Sequence, residues 1–242
     1  MRSSYKAEDV TILLKDVTGM LPALDTEERE KHIQNGVHYS EMLPLEYKPT
    51  PEYLALYREA LELHSGITAA AVKEVAEKIN AYKNGNVVLV SLARAGTPVG
   101  ILLKRYLDKA YHRNTPHYTI SIIRGRGIDR NALSYILDRH PAKEIQFVDG
   151  WIGKGAIIRE LRKEVKQYEG LDGELAVLAD PARLTALYGT SEDFLIPSAC
   201  LNATVSGLFS RTILNHDIIG PNDFHGAVYF EDLKEHDRSN EF

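Results

Sequence analysis

Cysteine, long apolar runs and excess positive charge are what this sequence lacks. Cys200 is the single cysteine among 242 residues, which excludes an internal disulfide and a cysteine-based structural zinc site. The longest apolar run, residues 86–93, is too short to span a membrane. With 29 Lys and Arg against 34 Asp and Glu, the net charge of −5 gives no reason to expect a nucleic-acid partner. The first ten residues lack the apolar core of a signal peptide, so we expect a cytoplasmic protein without membrane contact.

Helical and strand patterns alternate through most of the chain. Residues 1–50 read as irregular, and two helices are predicted at 51–64 and 68–85, with Thr68 as a cap. Further on, apolar β-branched runs alternate with helical periodicity, which predicts strands at 87–93, 117–123, 145–148, 175–179 and 194–199 and helices at 98–111, 131–140, 156–168 and 202–214. This order predicts an α/β fold, a parallel Rossmann-like sheet with helices on both faces. We divide the chain into a helical N-terminal extension packing on the core (1–84), an α/β core (85–230) and a solvated acidic tail (231–242).

Ligands of such sheets bind beyond the carboxyl ends of the strands, and the turn after Val148 has the composition of a phosphate-binding loop. Glycines allow a tight turn that points backbone N–H groups at one anion, and a lysine adds a cation. The spacing matches neither a Walker A loop nor a dinucleotide fingerprint. An ordinary glycine turn between strand and helix is the alternative. The residues concerned are Asp149, Gly150, Trp151, Ile152, Gly153, Lys154 and Gly155.

Two further turns on the same predicted edge carry arginine and glycine. Arg94 follows a strand directly and, with the backbone of its loop, is suited to an oxyanion. Arg124 and Arg126 lie with two glycines and Asp129 in a loop that we interpret as a lid over phosphates. A solvated surface loop is the alternative for each.

In combination these segments resemble a known family. SLARAGTPVGILL, SIIRGRGID, FVDGWIGKGAI, LADPA and LNATVSGLFSRT look like the phosphoribosyltransferase-like domain of bacterial tellurium-resistance-associated gene clusters. The same domain is also described as the N-terminal part of the cysteine protease StiP family. The resemblance covers roughly residues 36–230 and implies the type I phosphoribosyltransferase fold.

The resemblance also implies an activity and a set of roles. The expected reaction is transfer of a phosphoribosyl group from phosphoribosyl pyrophosphate to a nitrogen nucleophile, with Mg²⁺ and in a stress or tellurium-resistance pathway. Asp149 would bind the ribose hydroxyls and reach the metal through the ligand, while the loop after it holds the 5′-phosphate. The implied catalytic residues are Asp149, Arg124, Arg126 and Asp180, and the pyrophosphate loop comprises Ala93, Arg94, Ala95, Gly96 and Thr97.

This chain departs from the common pattern at two points. Gly150 stands where phosphoribosyltransferases carry a second acid, and Ile152 and Lys154 occupy positions where hydroxyl side chains usually contact the phosphate. The resemblance assigns no role to Asn202, Ser206 or Arg211.

Two other functions stay open. One is a cysteine hydrolase with Cys200 as nucleophile; the candidate bases and orienting groups are His38, His216, His225, Asp217 and Asn202. The other is a sensor that binds a phosphorylated ribose without turnover. The histidines show no metal-ligand spacing, so we expect no zinc. The sequence does not identify the acceptor of the phosphoribosyl group. It is compatible with a homo-oligomer. If members of the family continue into a further C-terminal domain, this chain is a fragment or a short form of them.

Overall fold

A computed structural model of the chain describes residues 1–199 and 202–242. Its helices are α1 (Thr26–Gln34), α2 (Pro51–Tyr82), α3 (Gly96–Tyr111), α4 (Arg130–Leu137) and α5 (Ala156–Val165). Its strands are β1 (Thr11–Ile12), β2 (Lys15–Asp16), β3 (Ala23–Leu24), β4 (Leu43–Pro44), β5 (Val88–Ala93), β6 (His117–Ile123), β7 (Gly127–Ile128), β8 (Ile145–Trp151), β9 (Leu175–Ala179), β10 (Tyr188–Thr190) and β11 (Gly226–Ala227).

The predicted parallel α/β sheet is confirmed. Its strand order is β1-β6-β5-β8-β9-β10, and all neighbours on this path pair in parallel. The short strand β7 folds back on the end of β6 and pairs with it in antiparallel fashion. The central strands therefore end at one edge, where their following turns can form a common site.

Helices cover both faces of the sheet because side chains alternate along each strand. Val88, Val90 and Leu92 of β5 pack with α4 and α5 on one face. Leu89 of the same strand packs with α2 and α3 on the other face. The runs of apolar residues in the central strands are thus explained by burial on both sides.

Four predictions from local patterns were wrong. Residues 1–50, expected to be irregular, contain α1 and the short strands β1 to β4, because partners distant in sequence such as β6 and β11 supply the pairing for β1 and β2. The two expected helices of residues 51–85 form the single helix α2, with Thr68 buried inside it and Thr50 as the actual N-cap. Residues 194–199 end in a 3₁₀ turn and form no strand. The helix expected at 202–214 is reduced to the 3₁₀ turn Ala203–Val205, because Gly207 and Leu208 have the positive φ values of a left-handed backbone.

The two ends of the chain pack on each other and on the sheet. Strand β1 extends the sheet beside β6, and β2 pairs with β11. The expected solvated tail is wrong, since Leu233 and Ser239 are buried and the Gly207 N–H donates to the Ser239 hydroxyl at 2.7 Å. Within the described ranges, no helix combines the length and apolar character needed to cross a membrane.

Candidate functional site

The turn after β5 lies in direct contact with the last residues of β8 at the carboxyl edge of the sheet. A Cβ atom on Gly96 would stand 2.6 Å from the carbonyl oxygen of Val148 and 3.2 Å from Cα of Asp149. Such a distance is below any ordinary van der Waals contact, so glycine permits this approach. The loop from Ala93 to Thr97 and the loop around Asp149 therefore form one site. The peptide bond between Ala93 and Arg94 in this site is cis.

Asp149 lies at the wall between two cavities. It contributes to a cavity of about 230 Å³ formed by its own loop and to another of about 130 Å³ beneath Arg94. Its Oδ1 accepts a hydrogen bond of 2.8 Å from the Gly150 N–H. Burial of the carboxyl raises its pKa to about 7, while the Gly150 hydrogen bond acts in the opposite direction. A carboxyl that titrates near neutrality in a concave site is typical of functional residues.

The loop after Asp149 forms the first cavity and leads into α5. Gly155 precedes the helix with a φ of 74° and has no side-chain cap, which leaves the first backbone N–H groups of α5 for another acceptor. The cavity is lined by Asp149, the residues from Trp151 to Ile158, and Leu175. This arrangement has the features of an anion-binding loop.

Trp151 covers part of this loop. Its ring lies so close to Gly153 that a Cβ atom there would stand 2.3 Å from the ring. The indole Nε1–H donates to Asp193 at 3.0 Å, and 46% of the residue is exposed. Trp151 is therefore a fixed aromatic surface beside the loop, whereas Lys154 is exposed and faces the solvent side.

The second cavity brings together residues that are distant in sequence. Arg94 lines it with Asp149, and the C-terminal segment adds Ser198, Ser206 and Arg211. The sequence assigned no role to the last two; the only signal was that polar side chains interrupt an otherwise apolar segment. Two guanidinium groups and two hydroxyls around a small cavity are suited to an oxyanion.

Arg94 is buried and held in place by the N-terminal region. Its Nη1 donates to the Phe209 carbonyl at 3.1 Å and lies 3.6 Å from a carboxylate oxygen of Glu46. The other oxygen of Glu46 accepts the Ala203 N–H at 2.6 Å. Burial is the main cause that lowers the pKa of Arg94; Glu46 opposes it and the positive charge of Arg211 adds to it. An anion in the cavity would relieve the repulsion between the two arginines.

The predicted lid arginines lie elsewhere in this conformation. Arg124 lines a separate cavity with Lys154 and residues of the first turns of α5. Arg126 forms an ion pair of 2.7 Å with Glu41. Asp129 is buried and caps α4, accepting the N–H groups of Ala132 at 3.0 Å and of His225 at 2.6 Å. The catalytic roles of both arginines stay predictions.

Asp180 has a structural role in the turn after β9. It is fully buried, and its Oδ2 accepts backbone N–H groups of Leu184 at 2.6 Å and Thr185 at 2.9 Å. Its Oδ1 is buried without a hydrogen-bond partner within the described part of the chain. Contact of Asp180 with an acceptor base stays a prediction.

The alternative cysteine site is only partly visible, because Cys200 lies outside the described residues. Ser198, two positions before it, lines the second cavity, and Asn202 caps the short turn after it. The imidazole Nδ1 of His225 lies 2.8 Å from the Ser121 hydroxyl, and that of His38 lies 2.8 Å from the Ser40 hydroxyl. His216 and Asp217 are exposed. Across residues 1–199 and 202–242, no histidine side chain pairs with Asp217 or Asn202, and no three potential metal ligands cluster.

The parallel sheet, its covering helices and the loops at its carboxyl edge define an α/β protein with a candidate site at the ends of the central strands. The chain belongs to the family described as tellurite-like stress resistance cysteine protease StiP, whose model matches residues 3–242. It is 40% identical over 251 residues to a protein of Acinetobacter baylyi named cysteine protease StiP, across 99% of this chain. The chain spans 65% of the length of that relative.

Solved phosphoribosyltransferases are similar to part of the chain. A hypoxanthine-guanine phosphoribosyltransferase from Bacillus anthracis is 18% identical with a TM-score of 0.39, covering 52% of this chain and 77% of that one. A hypoxanthine phosphoribosyltransferase from Trypanosoma cruzi is 15% identical with a TM-score of 0.40, again covering 52% of this chain and 77% of the other.

Proposed function

We propose that this protein binds phosphoribosyl pyrophosphate, or a related ribose 5-phosphate, and transfers the phosphoribosyl group to a nitrogen nucleophile. The observation that carries the proposal is the position of Asp149 in the wall of two separate cavities. One is the glycine loop before α5 and the other contains Arg94 and Arg211. A ribose at Asp149 would have its 5′-phosphate and its 1-pyrophosphate in these two cavities. The family description names tellurite-like stress resistance; we propose that the transfer reaction serves such a stress response and takes place in the cytoplasm.

In the proposed reaction the bond between ribose C1 and the pyrophosphate oxygen breaks, and its electron pair leaves with the pyrophosphate. The nitrogen lone pair of the acceptor forms the new bond at C1 and then loses a proton. The cationic ring centre is stabilised by the ionised Asp149 below the ribose hydroxyls. Arg94, Arg211 and Ser206 stabilise the negative charge on the leaving group.

Mg²⁺ fits this site only as an ion that is bound jointly by Asp149 and the phosphate groups of the ligand. The described residues offer no cluster of three potential ligands, and Asp149 is the carboxylate at the junction of the cavities. Magnesium is commonly held by one or two carboxylates together with substrate phosphates. When bound in this way, it would neutralise charge on the pyrophosphate.

The proposal predicts that Asp149→Asn weakens binding of phosphoribosyl pyrophosphate in the presence of Mg²⁺ at least tenfold, about 1.4 kcal/mol. The amide keeps the shape of the side chain but loses the charge that orders ribose and metal. Isothermal titration measures the effect, and Asp138→Asn, at an exposed position beyond α4, is the matched control. Equal affinities of Asp149→Asn and the unchanged protein would refute the assignment.

A cysteine protease is the second candidate, favoured by the name of the family and of the relative from Acinetobacter baylyi. The structural support is that Ser198 and Ser206, on either side of Cys200 in sequence, both line the cavity at Asp149. Peptide cleavage that is lost in Cys200→Ser, with rapid alkylation of Cys200 at neutral pH, would establish this activity.

A further inference from the structure

Four basic side chains surround a cavity on the outer side of the phosphate loop. This basic cavity has a volume of about 500 Å³ and is lined by Arg124, Lys154, Arg159, Lys163, Ala156 and Glu160. It is separate from the cavity of Arg94 and Arg211. Such a concentration of positive charge is notable in a chain whose net charge is −5.

The single carboxylate of the basic cavity is engaged and does not neutralise it. Glu160 accepts the Gly125 N–H at 3.0 Å, and its other oxygen lies 3.9 Å from Nζ of Lys163. One acid against four bases leaves a formal excess of three positive charges. Because Glu160 holds the backbone next to Arg124, the loop with this arginine is fixed beside α5. The fold therefore holds this loop at the basic cavity, and the excess positive charge there attracts anions.

The basic side chains extend outward from the phosphate loop in a definite order. Lys154 lines both the loop cavity and the basic cavity. Nη1 of Arg159 lies 2.9 Å from the point where a Cβ of Gly155 would stand, so this guanidinium rests against the end of the loop. Lys163 follows one helical turn further along α5. A ligand with several linked phosphate groups, the first of them in the loop, would contact Lys154, Arg159 and Lys163 one after the other.

We propose that the basic cavity binds a second phosphoryl group, joined by an anhydride bond to the 5′-phosphate of a ribose, so that the site accepts riboses linked through a 5′-diphosphate in addition to the ligand with a 5′-monophosphate. The inference rests on the proposed function, which assigns the 5′-phosphate to the loop. A ribose 5-monophosphate fills the loop alone and leaves Arg124, Arg159 and Lys163 without a ligand contact. A ribose linked through a 5′-diphosphate to a nucleoside, as in ADP-ribose, supplies the second phosphoryl group. The arginines can bind it through paired N–H donors.

The test is calorimetric titration with ADP-ribose and with ribose 5-phosphate. ADP-ribose should bind the unchanged protein at least tenfold more tightly than ribose 5-phosphate. The double variant Arg159→Gln, Lys163→Gln should lose this advantage, because its affinity for ADP-ribose should fall at least tenfold more than its affinity for ribose 5-phosphate; Arg159 touches only the end of the loop, and Lys163 lies one helical turn further on. The double variant Lys143→Gln, Lys166→Gln removes the same charge from exposed positions that do not line the basic cavity, and it should retain the preference.

The outcomes separate this inference from the proposed function. If ribose 5-phosphate binds in a manner that depends on Asp149 but ADP-ribose binds no more tightly, the inference is wrong and the function stands. A preference for ADP-ribose that survives Arg159→Gln, Lys163→Gln also overturns it. If neither ribose 5-phosphate nor phosphoribosyl pyrophosphate with Mg²⁺ binds, the proposed function fails, and the inference fails with it.

Discussion

At the scale of single residues, Asp149 is the carboxyl group that lines both cavities of the candidate site. The sequence placed it at the end of a buried strand, because apolar residues precede it and glycines follow. The raised pKa was not predictable from the sequence, since it arises from the apolar surroundings that several elements build around the carboxyl.

The raised pKa predicts a pH dependence of stability that needs no ligand. In the unfolded chain an Asp ionises near pH 4, and in the folded chain Asp149 ionises near pH 7. Between these values the folded state binds more protons than the unfolded state, so the stability contributed by this group is lost as the pH rises. Asp149→Asn cannot ionise, and its Tm relative to the unchanged protein should therefore increase from pH 5 to pH 8. If the Tm difference is the same at both pH values, burial does not raise the pKa of Asp149 in the folded protein.

The surroundings of Arg94 could not be predicted from local sequence patterns. The arginine after β5 was predicted to serve an oxyanion, and the structure places it at a cavity wall. Its partner Glu46 lies 48 positions earlier, in a segment that reads as irregular, so no local signal links the two. The same limit applies to Arg211, which tertiary packing brings to the site.

At the scale of elements, regular segments were predictable and their connections were not. Strands β6 and β9 coincide with the predicted ranges because their apolar β-branched runs are buried on both faces. The segment 202–214 has an apolar composition that suggested a helix, but its positive φ values and its contacts with the chain ends determine another conformation. Contacts distant in sequence overrode local propensity there.

The contact between α3 and β8 gives a prediction at this scale. In Gly96→Ala the new Cβ would meet the Val148 carbonyl oxygen at 2.6 Å, and the backbone cannot rotate away as a side chain can. We expect a loss of about 1–3 kcal/mol in the free energy of unfolding, the usual range for overpacking. Urea denaturation measures this loss.

Gly150→Ala is the control for that variant. It lies next to Asp149 near the end of β8 in the same site, and its new Cβ would meet no atom closer than 3.6 Å. We expect a destabilisation below about 1 kcal/mol. If both variants lose the same stability, close packing between the two loops is not what Gly96 provides.

At the scale of the whole molecule, both ends of the chain build the site. Glu46 fixes Arg94, and Ser198, Ser206 and Arg211 line the cavity at Asp149. The chain spans 65% of the length of its relative from Acinetobacter baylyi, so the activity of the longer protein can include functions beyond this site. Phosphoribosyl transfer and peptide cleavage differ in their dependence on Cys200, and one protein variant separates them.

The most direct measurement is therefore isothermal titration of phosphoribosyl pyrophosphate, with and without Mg²⁺, into the unchanged protein and into Cys200→Ser. We predict binding that requires Mg²⁺ and is equal in the two proteins, because the contacts that we propose for the ligand are Asp149, the glycine loop and Arg94, which line the two cavities. Absence of binding to the unchanged protein in the presence of Mg²⁺ would contradict the account.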